Sequence, residues 1–297
     1  MNNLSDRVKG IIFIIFSAFG FAAMSAFVKL SGDLPSFQKT FYRNLVSCII
    51  ALFFIIKNKE RFFGKKENQK LLILRSTLGT IGIVLNFYAI DMLVLSDANM
   101  LNKLSPFFVI IFSALYLGEK INLKQFISII VAFIGALFII KPSFDLSMIP
   151  FIIGILGAVF AAGAYTCLRS LGGKENHYTI VFYFSLFSLI TIFPFMIAVY
   201  KPMEPIQLFY LLMAGAFASI GQFGITIAYK YAPAKEISIF DYSNIIFSAI
   251  ISFAIFGVLP DKLSFIGYII IFSASLYMFL YNKKLDKKET TKIATFR

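Results

Sequence analysis

The sequence predicts an all-α integral membrane protein of ten transmembrane helices arranged as two inverted five-helix repeats, and three observations lead there. Of 297 residues, 59% are hydrophobic and 14% charged, far from the roughly 25% charged residues of a soluble domain. The apolar residues gather into ten runs close to the ~20 residues that cross a bilayer, joined mostly by short polar connections. Each half of the chain carries five runs, an odd number, so halves that share one fold enter the membrane from opposite sides.

The runs cover 10–30, 37–56, 71–92, 95–117, 121–140, 148–168, 178–200, 206–231, 234–257 and 263–281. The first follows Arg7 and Lys9 and contains A-M-S-A (23–26), which looks like a signal peptide. It is too long for one, and the topology needs it retained. Alternating the runs across a bilayer places Arg7, Lys9, the K-N-K-E-R-F-F-G-K-K segment from Lys57, Lys70, Lys120, Lys124, Arg169, Lys174, Lys230, Lys235 and the tail after Asn282 on one side. The other side receives Lys29, Lys39, Lys141, Lys201 and Lys262. An excess of Lys and Arg marks the cytoplasmic side, so both termini are expected there. The expected organisation is a first repeat over 1–145, a second, inverted repeat over 146–283 and a basic cytoplasmic tail over 284–297. At a spacing of about 140 residues Ala18 matches Ala158, Ala22 matches Ala162 and Leu123 matches Leu263. Small residues let such helices approach closely; Gly79, Gly82, Gly221, Gly224 and the A-A-G-A run from Ala161 are placed for that.

The formal charge of +13 would point to nucleic acid in a soluble protein, but here it sits in short loops beside apolar runs, where topology and anionic lipid explain it. Nucleic acid is therefore not an expected partner; the lipid bilayer is. Cys48 and Cys167 lie inside apolar runs without CxxC spacing, which indicates packing rather than a disulfide or metal site. The single histidine, His177, stands in a loop, and no H-E-x-x-H, paired carboxylates within a span or Ser-His arrangement is present. An enzyme is not expected, nor is a cofactor or metal. A greasy outer surface serves equally against lipid or a second copy of the chain.

Four charges inside the runs stand out: Arg43, Arg75, Lys103 and Asp241. Each costs about 3 kcal/mol at a bilayer centre on insertion scales, so such residues face a cavity or a partner unless they snorkel. Arg75 is near enough to its helix end to snorkel; Asp241 is too short to. Helical spacing groups polar neighbours with them. Asn86 shares the Arg75, Gly79, Gly82 stripe; Asn99 and Pro106 share a face with Lys103, flanked by Asn102. Ser238, Asn244, Ser248 and Ser252 align with Asp241, next to Tyr242, and Ser219, Gln222, Thr226 and Tyr229 form a fourth stripe. Pro106 removes the helical partner of the Asn102 carbonyl and weakens the turn at Lys103.

Three segments carry a family resemblance: T-F-Y-R-N ending at Asn44, A-N-M-L-N-K-L-S-P-F-F-V-I-I-F-S-A-L-Y-L-G-E-K (98–120) with its mid-span proline and terminal glutamate, and I-F-D-Y-S-N-I-I-F-S-A-I-I (239–251). Across about residues 9–283 the chain resembles the EamA branch of the drug/metabolite transporter superfamily. It departs where F-G-V-L-P-D (256–261) lacks the glutamate that the family often repeats after the ninth helix. The resemblance implies a ten-helix transporter in the cytoplasmic membrane that moves small organic solutes by alternating access. Family members are described as handling amino acids, S-adenosylmethionine, nucleobases, choline-like amines and drugs.

The expected function is secondary active transport of an amino acid or an amino-acid-like or cationic metabolite such as S-adenosylmethionine. The alternatives are a multidrug or metabolite exporter of the same fold, and a non-transporting membrane enzyme or structural partner. The expected binding residues are Arg43, Arg75, Asn86, Asn102, Lys103, Gln222, Asp241, Tyr242 and Asn244. Arg43 and Lys103 are expected toward the outside as an anion-attracting region. Asp241, with Asn244 and Gln222, is expected toward the inside to receive an ammonium or sulfonium group, or to carry a coupling proton.

Overall fold

The computed structural model describes residues 5–117, 121–141, 146–171, 174–231 and 238–295. It contains ten helical spans long and apolar enough to cross a membrane. They are built from α1 (Asp6–Leu30), α2 (Ser36–Asn58), α3 (Gln69–Met92), α4 (Leu95–Asn102), α5 (Ser105–Leu117), α6 (Leu123–Ile140), α7 (Ile149–Leu171), α8 (His177–Ala198), α9 (Pro205–Tyr231), α10 (Ser243–Phe256) and α11 (Lys262–Thr295). Apolar length sets the spans, and polar residues cut them where backbone groups need partners. The Ser5 side chain accepts from the Val8 N–H at the start of α1, and Asn176 accepts from Tyr178 at the start of α8. Asn122 and Gln125 form a reciprocal capping box on α6. At the end of α10, Gly257 takes φ +65°, and its N–H reaches back to the Phe253 carbonyl.

Two of the expected spans are not continuous helices. The fourth splits into α4 and α5, because Pro106 has no N–H for the Asn102 carbonyl; the Leu104 N–H falls back to Leu101 in a tighter turn. The described part of the ninth begins with a 3-10 turn, Ser238–Tyr242, before α10 takes over. No proline marks that second break in the sequence.

The packing comes in matched pairs. α1 lies along α9 as α3 lies along α7, α2 also packs on α9 as α8 packs on α3, and α1 meets α10 as α7 meets α4 and α5. Three further contacts join the fourth span to the ninth through α4 and α10, the second to the seventh through α2 and α8, and the fifth to the tenth through α6 and α11. Each contact survives when a span is exchanged for the one five places along, the relation expected of duplicated halves. Close approach depends on glycine. A Cβ on Gly20 of α1 would meet the Gly221 backbone nitrogen of α9 at 2.8 Å, and one on Gly82 of α3 would meet the Ala161 nitrogen of α7 at 3.2 Å. The expected small residues thus serve helix packing.

The radial distribution suits a lipid environment. Phe16, Ile49, Phe53, Ile190 and Phe265 are exposed, whereas Ser17, Thr40, Asn44, Ser185, Ser188, Asn244 and Ser248 are buried. Most of these hidden polar groups find partners within the bundle, Thr40 Oγ1 and Ser185 Oγ being exceptions. Asn44 Nδ2 donates to Ser188 Oγ at 2.7 Å, Asn99 Nδ2 to Ser248 Oγ at 2.8 Å, and Ser17 Oγ to the Gly221 carbonyl at 2.7 Å.

The two loop-bearing ends are also tied in a matched way. At the first end Gln38 and the Lys201 backbone exchange hydrogen bonds of 2.9 and 3.0 Å, and Gln207 donates to the Ser31 carbonyl. At the second end Glu175 accepts from the Lys65 N–H and from Asn68 Nδ2, both at 2.7 Å, while Thr179 donates to the Arg61 carbonyl.

Candidate functional site

Inside the bundle, charged side chains from both halves converge where helices are broken or narrow. Lys103 caps the C-terminal end of α4, at the turn before Pro106. Asp241 lies in the 3-10 turn that precedes α10. Their side chains form a direct ion pair, Lys103 Nζ to Asp241 Oδ2, with the side chains 13% and 23% exposed. The expectation that the lysine serves an outer region and the aspartate an inner one therefore needs correcting: the break in the fourth span and the 3-10 turn of the ninth bring them into contact. Tyr242 fixes the junction, its hydroxyl donating to the Lys103 carbonyl at 3.2 Å and hydrogen-bonding Ser275 Oγ on α11. The other carboxylate oxygen of Asp241 is buried without a partner.

Arg43 on α2 is 2% exposed and donates Nη1 to Asn44 Oδ1 at 2.5 Å, leaving Nε unpaired. Arg75 on α3 is 6% exposed and leaves both Nε and Nη1 unpaired. Its guanidinium stacks 3.8 Å from the centroid of the Phe184 ring on α8, an attraction of cation and π-face. Gly79, one turn along α3, makes room for that stack: a Cβ there would meet Phe184 Cε2 at 3.0 Å and Arg75 Nη1 at 3.4 Å. Arg75 therefore points into the bundle rather than snorkelling. Among the described residues neither arginine has a carboxylate partner. Arg43 feels the charge of Arg75, and Tyr165 of α7 feels both arginines and Asp241. Tyr165 itself is 40% exposed.

The remaining expected residues act mainly between helices. Asn102 Nδ2 donates to Asn86 Oδ1 at 3.2 Å, joining α4 to α3. Asn244 Nδ2 donates to the Ala18 carbonyl at 2.8 Å, joining α10 to α1. Gln222 is half-buried on α9. The side chains of Thr226, Tyr229 and Ser238, and Glu119 in the quoted motif, lie outside the described residues.

A second charged cluster lies at the first end. Lys39 of α2, fully buried, pairs with Asp91 of α3 at 2.5 Å. Lys29 of α1 donates to the Ile90 carbonyl at 3.0 Å and to the Leu93 carbonyl, placing a cation on the negative end of α3. Buried Asp97 of α4 accepts from the Tyr268 hydroxyl at 2.5 Å. Residue-by-residue reading missed these acids because they stand at the ends of apolar runs, where a charge is ordinarily taken as interfacial. The signal available was their opposition to Lys29 and Lys39 on neighbouring runs of like depth.

Ten apolar spans in matched packing around an unbalanced charged centre define a polytopic membrane protein built to admit a polar solute. The comparisons with known proteins make the class specific. The EamA-like transporter family matches residues 8–141 and 148–280, and the chain belongs to that family. It is 32% identical over 275 residues to the pseudopaline exporter CntI of Pseudomonas aeruginosa, covering 91% of this chain and 96% of that one. It is 25% identical over 298 residues to an S-adenosylmethionine uptake transporter of Rickettsia bellii, covering 96% and 100%, and 26% identical over 272 residues to a riboflavin transporter of Brucella anthropi, covering 87% and 94%. A solved crystal structure superposes with a TM-score of 0.64 at 14% identity, over 91% of this chain and 98% of the other, which establishes likeness of fold. The protein is a multi-pass membrane transporter of small metabolites.

Proposed function

We propose that the protein is a secondary active transporter in which two inverted repeats alternate the access of a central site, with both termini on the cytoplasmic side. The observation that carries the reading is the Lys103–Asp241 pair, which ties the broken fourth span of one half to the 3-10 turn that opens the described part of the ninth span of the other. An ion pair in apolar surroundings is costly to break unless its charges find other partners, so it holds one arrangement until something replaces it. A bundle whose halves meet through such a pair has a natural two-state element. The ties at the two ends support the same scheme, since opening at one end requires its hydrogen bonds to part while those at the other hold.

The solute is a small organic molecule, and the charges of the centre narrow the expected class. Among the described residues Lys103 pairs with Asp241 while Arg43 and Arg75 have no carboxylate partner, so a purely cationic metabolite is disfavoured and an amino-acid-like solute with an anionic group is preferred. Asp241, already paired, serves as the switch and is the proposed coupling-proton site. Flux into proteoliposomes with and without a pH gradient tests this. Asp241→Asn is expected to slow transport at least tenfold and to flatten its pH dependence. Wild-type flux with unchanged pH dependence in that variant would contradict the switch.

A further inference from the structure

We infer that Arg43 and Arg75 form a subsite for two anionic groups, and that the solute is a small organic dicarboxylate, amino-dicarboxylates included. The inference rests on the reading of the bundle centre as the solute site and extends it to substrate class. The first ground is the orphaned hydrogen-bonding capacity: Arg43 Nε, Arg75 Nε and Arg75 Nη1 are buried without acceptors. Guanidinium groups are geometrically matched to carboxylates, which take two parallel N–H bonds from one fork. The bundle has no shortage of acids elsewhere. Lys39 has Asp91, Lys103 has Asp241, Lys141 has Asp261 and Lys9 has Asp6. Among the described residues these two buried arginines are left without one.

The second ground is how they are held. Arg43 is oriented by Asn44, which is itself bonded to Ser188 of α8. Arg75 lies flat on Phe184, also of α8, in room left by Gly79. Both supports engage one face or one nitrogen of a guanidinium and leave Arg43 Nε and Arg75 Nε and Nη1 without acceptors, which preorganises a receptor rather than neutralising a charge. The third ground is the charge sum. Among the described residues three cations, Arg43, Arg75 and Lys103, stand against the one carboxylate of Asp241 and leave two positive charges, and two carboxylates on the solute restore neutrality where each lone charge is costly. The pair Lys103–Asp241 stays intact while the dianion binds, so the subsite and the switch are separate parts.

The test uses purified full-length protein, its melting temperature followed against succinate, glutarate, aspartate, acetate, glutamine and choline at matched ionic strength. The four-to-five-carbon dicarboxylates and aspartate are expected to raise the melting temperature by several degrees, with acetate, glutamine and choline near zero. Loss of a guanidinium that pairs with a carboxylate weakens binding by roughly 30-fold or more, so Arg43→Gln and Arg75→Gln should lose the shift, and Arg75→Lys should retain part of it. If Arg75→Gln fails to fold, Phe184→Leu takes its place; it keeps the charge, removes the ring beneath it and should weaken the dicarboxylate response. A dicarboxylate shift undiminished in these variants overturns the subsite. A shift with choline or glutamine instead of dicarboxylates, in protein that carries that solute into liposomes, also overturns it while leaving the transporter reading standing.

Discussion

Two buried clusters of charge lie along the second and third spans, and they are built on opposite plans. At the first end, Lys39 and Asp91 neutralise each other and Lys29 caps carbonyls at the end of α3. In the centre, Arg43 and Arg75 stand on the same two helices, equally hidden, with donors that nothing accepts. The first arrangement satisfies its charges and so ties helices together. The second holds its charges ready, at a cost to the resting protein that a ligand offsets. Burial alone does not distinguish a structural charge from a binding one; satisfaction of hydrogen bonds does.

The largest expected effect comes from breaking the balanced cluster. Asp91→Ala leaves Lys39 buried and unpaired, and should destabilise the protein by about 3–5 kcal/mol, seen as a sharp fall in melting temperature in detergent. Next is Gly79→Ala, where the new Cβ at 3.0 Å from Phe184 forces the ring or the guanidinium to shift. The expected cost is about 1–3 kcal/mol, together with weaker solute binding. Arg75→Gln sharpens the contrast: it removes a charge that no carboxylate offsets and one stack on Phe184, so its stability should lie within about 1 kcal/mol of wild type or above it. A large loss of stability there would mean that Arg75 is a structural tie like Lys39. Smallest is Lys141→Ala, which breaks an exposed pair with Asp261 and should cost about 0.5 kcal/mol, within the scatter of most melting measurements.

The same contrast marks how far the residues could be read without coordinates. Hydropathy located all ten spans, because a bilayer demands length and apolarity that few other contexts impose. Pro106 announced the break in the fourth span through its missing N–H. The ninth span carries no such residue around Asp241, and its opening 3-10 turn was not legible. Arg43, Arg75, Lys103 and Asp241 declared themselves as lone charges in apolar surroundings. Asp91 and Asp97, at run ends, did not, although the first neutralises a fully buried lysine.

Composition and periodicity by themselves determined the membrane class, the number of spans and which four charges needed explaining, since each follows from local chemistry against a bilayer. Only the tertiary structure decided how those charges are used. Lys103 and Asp241 meet across 138 positions of chain, and Lys39 finds Asp91 across 52. Arg43 meets Asn44 and Arg75 meets Phe184, and among the described residues neither meets an acid. Partner choice among buried charges depends on which helix faces are brought together, and that is fixed by glycine-mediated packing of helices distant in sequence.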